Sequence, residues 1–158
     1  MRIHVTYTGG TIGMVDSPRG LVPGADQESR FDAVLKEAGG SIGSISLTAL
    51  SPLIDSSDAA PESWQRIIDD LRAGASDADA FVVLHGTDTM AHTCAALSYA
   101  LTDLGRPVVV TGSQLPLGAV GSDAAPNIAG ALRAAASRRA RGVGLFFGHR
   151  LLAGNRAV

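Results

Sequence analysis

Residues 81–93 read FVVLHGTDTMAHT. An apolar run, Phe81, Val82, Val83 and Leu84, passes directly into small polar residues and then into a segment with helical spacing. An unbroken apolar run of this length fits a strand buried on both faces, as in parallel sheets. The helical pattern extends over residues 89–104 and puts Met90, Cys94, Leu97, Leu101 and Leu104 on one face. The stretch predicts a strand, a tight polar loop and a helix in succession.

The same grammar recurs outward from this point. Further apolar runs occupy residues 3–7, 108–110 and 143–147, with a weaker one over 45–50. Helical patterns lie between them. Residues 27–37 carry Phe31, Val34 and Leu35, and residues 63–72 carry Trp64, Ile67, Ile68 and Leu71. Residues 126–139 are alanine-rich, with Ile128 and Leu132. Alternating strands and helices predict an α/β fold with a mainly parallel sheet and right-handed crossovers. Met14-Val15 and Leu21-Val22 flank Asp16-Ser17-Pro18-Arg19-Gly20, which reads as a flap hairpin inserted after strand one. Four arginines between Arg133 and Arg141 read as a solvated helix end rather than an anion site.

With 158 residues, one domain is expected. The apolar share of 46% and charged share of 18% fit a globular chain. A net charge of −2 gives no general attraction to nucleic acid or to anionic membrane, so no partner of either kind is expected. The single cysteine, Cys94, excludes an internal disulfide and favours a reducing compartment. The N-terminus lacks a signal-peptide apolar region, and no run is long enough to span a membrane. A cytoplasmic location follows as the expectation.

Each apolar run ends in small polar residues: Thr8-Gly9-Gly10-Thr11, then Asp55-Ser56-Ser57-Asp58, then His85-Gly86-Thr87-Asp88, then Thr111-Gly112-Ser113-Gln114. In an open parallel sheet these carboxyl ends share one edge, where ligands bind. Thr11, Ser56, Ser57, Thr87, Asp88 and Ser113 are therefore expected around one crevice. Plainer roles compete: Thr87, Asp88 and Thr89 also suit a helix cap, as do Ser57 and Asp58. Gly9-Gly10 is by itself only a turn signal; the spacing of a dinucleotide fingerprint and the Gly-Lys of a phosphate loop are both missing. His85 and His92 have no metal-spaced partners, and His85 reads as a satisfied structural histidine. No metal and no cofactor are expected.

A threonine hydroxyl beside glycine backbone suggests nucleophilic attack, with N–H groups at Gly10 and Thr87 receiving the oxyanion. Asp88 beside serines suggests a zwitterionic ligand, with Asp88 on an ammonium group and Ser56 on a carboxylate. An amino acid with a reactive side chain is the natural substrate. Gly9 and Gly10 are then expected to let the substrate carbonyl approach the backbone.

Taken together and in this order, YTGGTIGM (7–14), PLIDSSD (52–58), LHGTDTMAHT (84–93), PVVVTGSQLP (107–116) and GSDAAPN (121–127) resemble the bacterial-type L-asparaginases, which include glutaminase-asparaginases. The wording is most similar to the cytosolic type. The resemblance implies a flavodoxin-like (Rossmann-like) three-layer domain over residues 1–158, without the family's smaller C-terminal domain. It implies an amidohydrolase that converts L-asparagine to L-aspartate and ammonia through a threonine acyl-enzyme. Thr11 matches the nucleophile. Thr87 and Asp88 match members of a second triad, with Asp88 also binding the substrate ammonium. Ser56 matches the α-carboxylate ligand, and Ser57 falls where some members have glutamine. Gly10 and Thr87 match the oxyanion donors, and the Ser113 carbonyl meets the substrate amide. A homodimer is implied. A broad glutaminase-asparaginase and a non-catalytic amino-acid sensor are the alternatives.

Three departures stand out. Leu21 occupies the place of the family's flap tyrosine, with Tyr7 the conceivable spatial substitute. The triad lysine is not among these residues, since Lys36 lies on an early helix; it is expected just beyond Val158 in a longer chain, the alternative being that activation of Thr11 or Thr87 lacks its usual base. Without the second domain the site should be open, wet and weak in substrate binding.

Overall fold

The computed structural model describes residues 1–40, 42–137 and 140–158. Strand β1 (Arg2–Tyr7) leads to a short turn, Thr11–Gly13, and then to a hairpin of β2 (Met14–Ser17) and β3 (Gly20–Pro23). Helix α1 (Gln27–Gly39), β4 (Ser44–Ala49), α2 (Pro61–Ala73), β5 (Ala80–Leu84), α3 (Met90–Ala100), β6 (Val108–Thr111), α4 (Ala124–Ala136), β7 (Val143–Phe147) and β8 (Arg150–Ala153) follow. The main sheet runs β4-β1-β5-β6-β7-β8, and only β8 is antiparallel to its neighbour. Counting its parallel strands in chain order gives 2-1-3-4-5, the flavodoxin-like arrangement, whose switch point lies between β1 and β5.

The unbroken apolar run over residues 81–84 lies in central strand β5, buried at every residue. Its alternating side chains divide between two cores. Ala80, Val82 and Leu84 join Ile3, Val5, Phe31, Leu35, Ile128 and Leu132 under α1 and α4. Phe81 and Val83 join Ile67, Leu71, Cys94, Leu97, Val108 and Val110 under α2 and α3. Full burial of such side chains stabilises by ~1.5–3 kcal/mol each, so a strand sealed on both faces holds both layers to the sheet.

Several expectations shift at element ends. Helix α3 stops at Ala100 rather than running to residue 104. Arg72 donates to the Ala100 carbonyl (3.1 Å) and pairs with Asp103 (2.9 and 3.0 Å), which satisfies the helix end from outside. Helix α2 begins earlier than expected, at Pro61, and neither Ser57 nor Asp58 caps it. Ser63 Oγ instead accepts the Ala60 N–H (3.2 Å). Strand β8 matches none of the apolar runs of the sequence. Gly148 (φ 53°) and His149 (φ 65°) form a two-residue turn with both φ values positive, which folds the chain back beside β7. Helix α4 starts two residues before the expected 126. Arg138 and Arg139, two of the four arginines noted at its end, lie outside the described residues.

Candidate active site

The loops after β1 and β5 meet at the switch point. Gly10 has φ 89°, and a Cβ there would strike Gly86 Cα and lie 2.6 Å from Gly86 N. Gly9 has φ 137°, and its Cβ would strike the Ile54 carbonyl oxygen. A Cβ at Gly86 would collide with the Ser56 hydroxyl. The β1 loop thus meets the other two backbone to backbone at Gly9 and Gly10, where the positive φ also favours glycine, while Gly86 lies against the Ser56 side chain. On the side where a Cβ would stand, the space is filled by Ile54 and Gly86, so loop packing by itself demands both glycines. Thr11 and Thr87 are the next residues out along the two touching loops.

The loop at residues 55–58 is tied to the β5 loop twice. Ser56, 3% exposed, donates Oγ to Asp88 Oδ2 (2.8 Å), and Thr89 Oγ1 donates to the Ser56 carbonyl (2.7 Å). Thr89 stands at the start of α3 without capping it through its side chain, so the capping role suggested by the sequence gives way to this cross-loop bond. Ser57 is exposed, and both its N–H (2.9 Å) and its hydroxyl (2.8 Å) go to Asp55 Oδ1. Those two bonds hold the Asp55 carboxyl below its usual value. Ser57 therefore stays outside the Ser56–Asp88 pair. Ser113 is buried, with its hydroxyl on the Leu115 carbonyl (2.6 Å).

The hydroxyls of Thr11 and Thr87 differ from these. Among the described residues neither makes a hydrogen bond, and the N–H groups of Gly10 and Thr87 have no protein acceptor. Two free hydroxyls and two free N–H groups lie on adjoining loops, next to a carboxylate already holding a serine.

The partners that shape these loops were mostly invisible in the sequence. His85 is 1% exposed, with Nδ1 2.7 Å from the Gly86 carbonyl and Nε2 3.0 Å from Thr93 Oγ1. Trp64 Nε1 donates to the same Thr93 oxygen (3.1 Å). A carbonyl only accepts and an indole N–H only donates, so every role in the chain follows: Nδ1 carries the proton and Nε2 accepts from Thr93. Burial lowers the imidazole's affinity for a second proton, against the opposing effects of the Gly86 carbonyl and the Asp88 charge. With the Gly86 carbonyl turned to His85, the Thr87 N–H points to the other side of the same planar peptide.

Asp123 accepts the N–H groups of Gln114 (3.0 Å) and Leu115 (3.1 Å), together with Asn127 Nδ2 (3.1 Å). Asn127 Nδ2 also reaches the Gly112 carbonyl (2.9 Å), while its oxygen accepts the Gly148 N–H (3.2 Å). This pair fixes the loop that carries Ser113. The GSDAAPN stretch marked both residues, but without a role.

Tyr7 does not replace a flap tyrosine. It is buried against Phe31 (ring centroids 5.1 Å apart), with its hydroxyl under Gly13. Burial pushes that hydroxyl up to about 12, against the opposing Arg30 charge. Leu21 is 44% exposed on β3. Lys36 pairs with Asp32 (2.6 Å) on an exposed face of α1. A groove of 730 Å³ opens beside Thr87 and Asp88 and extends past Met90, Phe147 and Leu152 to Val158. No cluster suited to a metal ion occurs among the described residues.

Residues 2–158 match the family model described as Asparaginase, N-terminal. The chain belongs to that family. This asparaginase-family chain is 47% identical over 157 residues to L-asparaginase 1 of Escherichia coli K12, covering 99% of itself and 46% of that protein. Its fold matches the crystal structure of L-asparaginase I from Vibrio cholerae with a TM-score of 0.90 at 42% identity, covering 98% of this chain and 47% of that one. The probable cytoplasmic L-asparaginase from Campylobacter jejuni gives 0.83 at 31% identity, over 99% and 49%. The asparaginase-family chain thus spans about half the length of these relatives.

Proposed function

We propose that this chain carries the nucleophile half of an L-asparagine amidohydrolase, which releases L-aspartate and ammonia. Thr11 Oγ1 attacks the side-chain amide carbon, and the resulting oxyanion lies against the N–H groups of Gly10 and Thr87. Ammonia leaves with a transferred proton, and water then hydrolyses the threonine ester to regenerate Thr11 and release aspartate. Asp88 binds the substrate ammonium and serves with Thr87 in proton transfer. Ser56 binds the α-carboxylate, and the Ser113 carbonyl receives the amide N–H. Ser57 joins the substrate contacts when it exchanges Asp55 for the ligand.

One observation carries this reading. Among the crevice hydroxyls named above, those of Thr11 and Thr87 are uncommitted, while the neighbouring serines and Thr89 are held by protein partners. The names of the relatives support the substrate, and no cofactor enters the scheme. A threonine hydroxyl needs a general base, typically worth ~10²–10⁴ in rate. Lys36, held by Asp32 away from the crevice, is not that base. The proposal includes a single α/β domain over residues 1–158, a cytoplasmic location, as in the name of the Campylobacter jejuni relative, and assembly as a homodimer.

Ammonia release from asparagine and glutamine by wild type, Thr11→Ala and Thr87→Val tests the reading. Turnover in the wild type and its loss in both variants is expected. Full activity in Thr11→Ala would remove Thr11 as nucleophile. Aspartate binding without any wild-type turnover would favour an amino-acid sensor. Discrimination between asparagine and glutamine rests on one methylene, worth only ~1–3 kcal/mol, so the glutamine rate decides between a narrow and a broad enzyme.

A further inference from the structure

The Thr11 turn and the hairpin after it are clasped at their base from α1. The Gly13 carbonyl, which closes the turn, receives the Gly24 N–H (3.1 Å), Gln27 Nε2 (3.2 Å) and Arg30 Nη1 (2.6 Å). Arg30 Nη2 reaches the Met14 carbonyl (3.3 Å), the first residue of β2. Gln27 Nε2 also donates to the Gly24 carbonyl (2.5 Å), just beyond the end of β3. One guanidinium and one amide therefore hold both the entry and the exit of the hairpin.

The local sequence is built around this clasp. A Cβ at Gly24 would strike Arg30 Nη1, and a Cβ at Gly13 would strike the Tyr7 hydroxyl and lie 2.7 Å from Gln27 Oε1. Among the described side chains no carboxylate pairs with Arg30, so its charge is spent on backbone carbonyls at the end of the Thr11 turn. Above the base, no residue of β2 or β3 is buried. The hairpin has little apolar packing of its own to fix it, and a planar fork bridging two carbonyls supplies what packing does not.

We propose that Arg30, seconded by Gln27, is a positioning residue that sets the hairpin and the Thr11 turn relative to each other. The proposal rests on the reading of Thr11 as nucleophile for its consequence in catalysis, but not for its structural content. Without the clasp the hairpin swings on Gly13 and Gly24, and Thr11 loses its fixed aim. Lysine keeps the charge but not the planar two-carbonyl fork, so it restores only part of the effect.

Amide hydrogen exchange on the full chain, with trypsin cleavage at the exposed Arg19 as a second readout, tests this. In Arg30→Met, hairpin amides are expected to exchange about tenfold faster and Arg19 to be cut correspondingly faster, with β5 protection unchanged. Arg30→Lys should fall between the two. In the same variants kcat for asparagine should drop more than KM rises. Unchanged hairpin exchange, or equal loosening of hairpin and β5, overturns the proposal. A wild type without ammonia release would sink the catalytic reading alone, because the exchange comparison is read without substrate. Should Arg30→Met not fold, Gln27→Ala removes the second side-chain donor and supports the same comparison.

Discussion

Asp70, on α2, accepts Thr6 Oγ1 at 2.5 Å and His4 Nε2 at 3.2 Å, while His4 Nδ1 faces Ser46 Oγ at 3.0 Å. Among the described residues Asp88, just past the end of β5, accepts only Ser56 Oγ. The residue types are nearly the same: aspartate, serine or threonine, and a histidine close by. At Asp70 both donors come from β1, with Ser46 of β4 behind His4, and they fasten α2 to the sheet. At Asp88 the carboxylate lies beyond the carboxyl ends of the strands, where helix and sheet no longer cover it. Side-chain chemistry alone does not make a site. A polar cluster becomes available to a ligand when the fold leaves part of its bonding capacity unused.

The largest separation between the two regions should come from Asp88→Ala. Hydrogen bonds to a charged group are worth ~1.5–3 kcal/mol, or roughly 10–150-fold in substrate capture. Ammonia release at low asparagine should fall by about that factor, with the thermal midpoint near that of the wild type. A large fall in thermal midpoint instead would place Asp88 with Asp70 as a structural group.

The converse is expected of Asp70. Replacing it with alanine strands Thr6 and His4, at a cost of ~1–3 kcal/mol in denaturant unfolding and little change in turnover per folded molecule. Its acid response carries a sign. Burial pushes the Asp70 carboxyl up, but the His4 and Thr6 donors and the His4 charge together outweigh it, so the carboxyl sits below the usual 3.8. A carboxyl depressed in the folded state stabilises fully above its unfolded value, and that contribution disappears as pH falls through the folded value. Stability measured from pH 5 downward should therefore fall less steeply in Asp70→Asn. An unchanged acid limb would show that the cluster contributes nothing through titration.

The smallest effect is a readout of both regions. Cys94 lies in the core under α2 and α3, and burial pushes its thiol up to about 12. Labelling by a thiol reagent should be very slow in the native wild type and in Asp88→Ala. It should quicken in Asp70→Ala, where α2 is less firmly held. Equal labelling in the two variants would erase the distinction drawn between them.

How far the sequence reads depends on the range of the interaction. The strands were legible because β5 and its neighbours bury both faces and so write continuous apolar runs. The crevice was legible because small polar residues follow each run. Strand β8 was not, since its residues are exposed on both faces and carry no burial pattern. The Trp64–Thr93–His85 chain, the Asp123–Asn127 pair and the Arg30 clasp were not legible either. In each, a polar side chain finds a partner brought near by folding, and its residue type alone does not say which.

Sequence by itself determined the alternation of strands and helices, the edge at which the polar loops gather, and the family to which the chain belongs. These are set by local periodicity and by motif order. Only the tertiary structure decided what the glycines are for and which hydroxyls remain free. Gly9, Gly10 and Gly86 are required by contacts between loops distant in the chain, and Thr11 and Thr87 stand apart because nearby hydroxyls found protein partners while theirs found none among the described residues. Both outcomes depend on which segments meet, and backbone crowding and hydrogen-bond competition are settled only once they do.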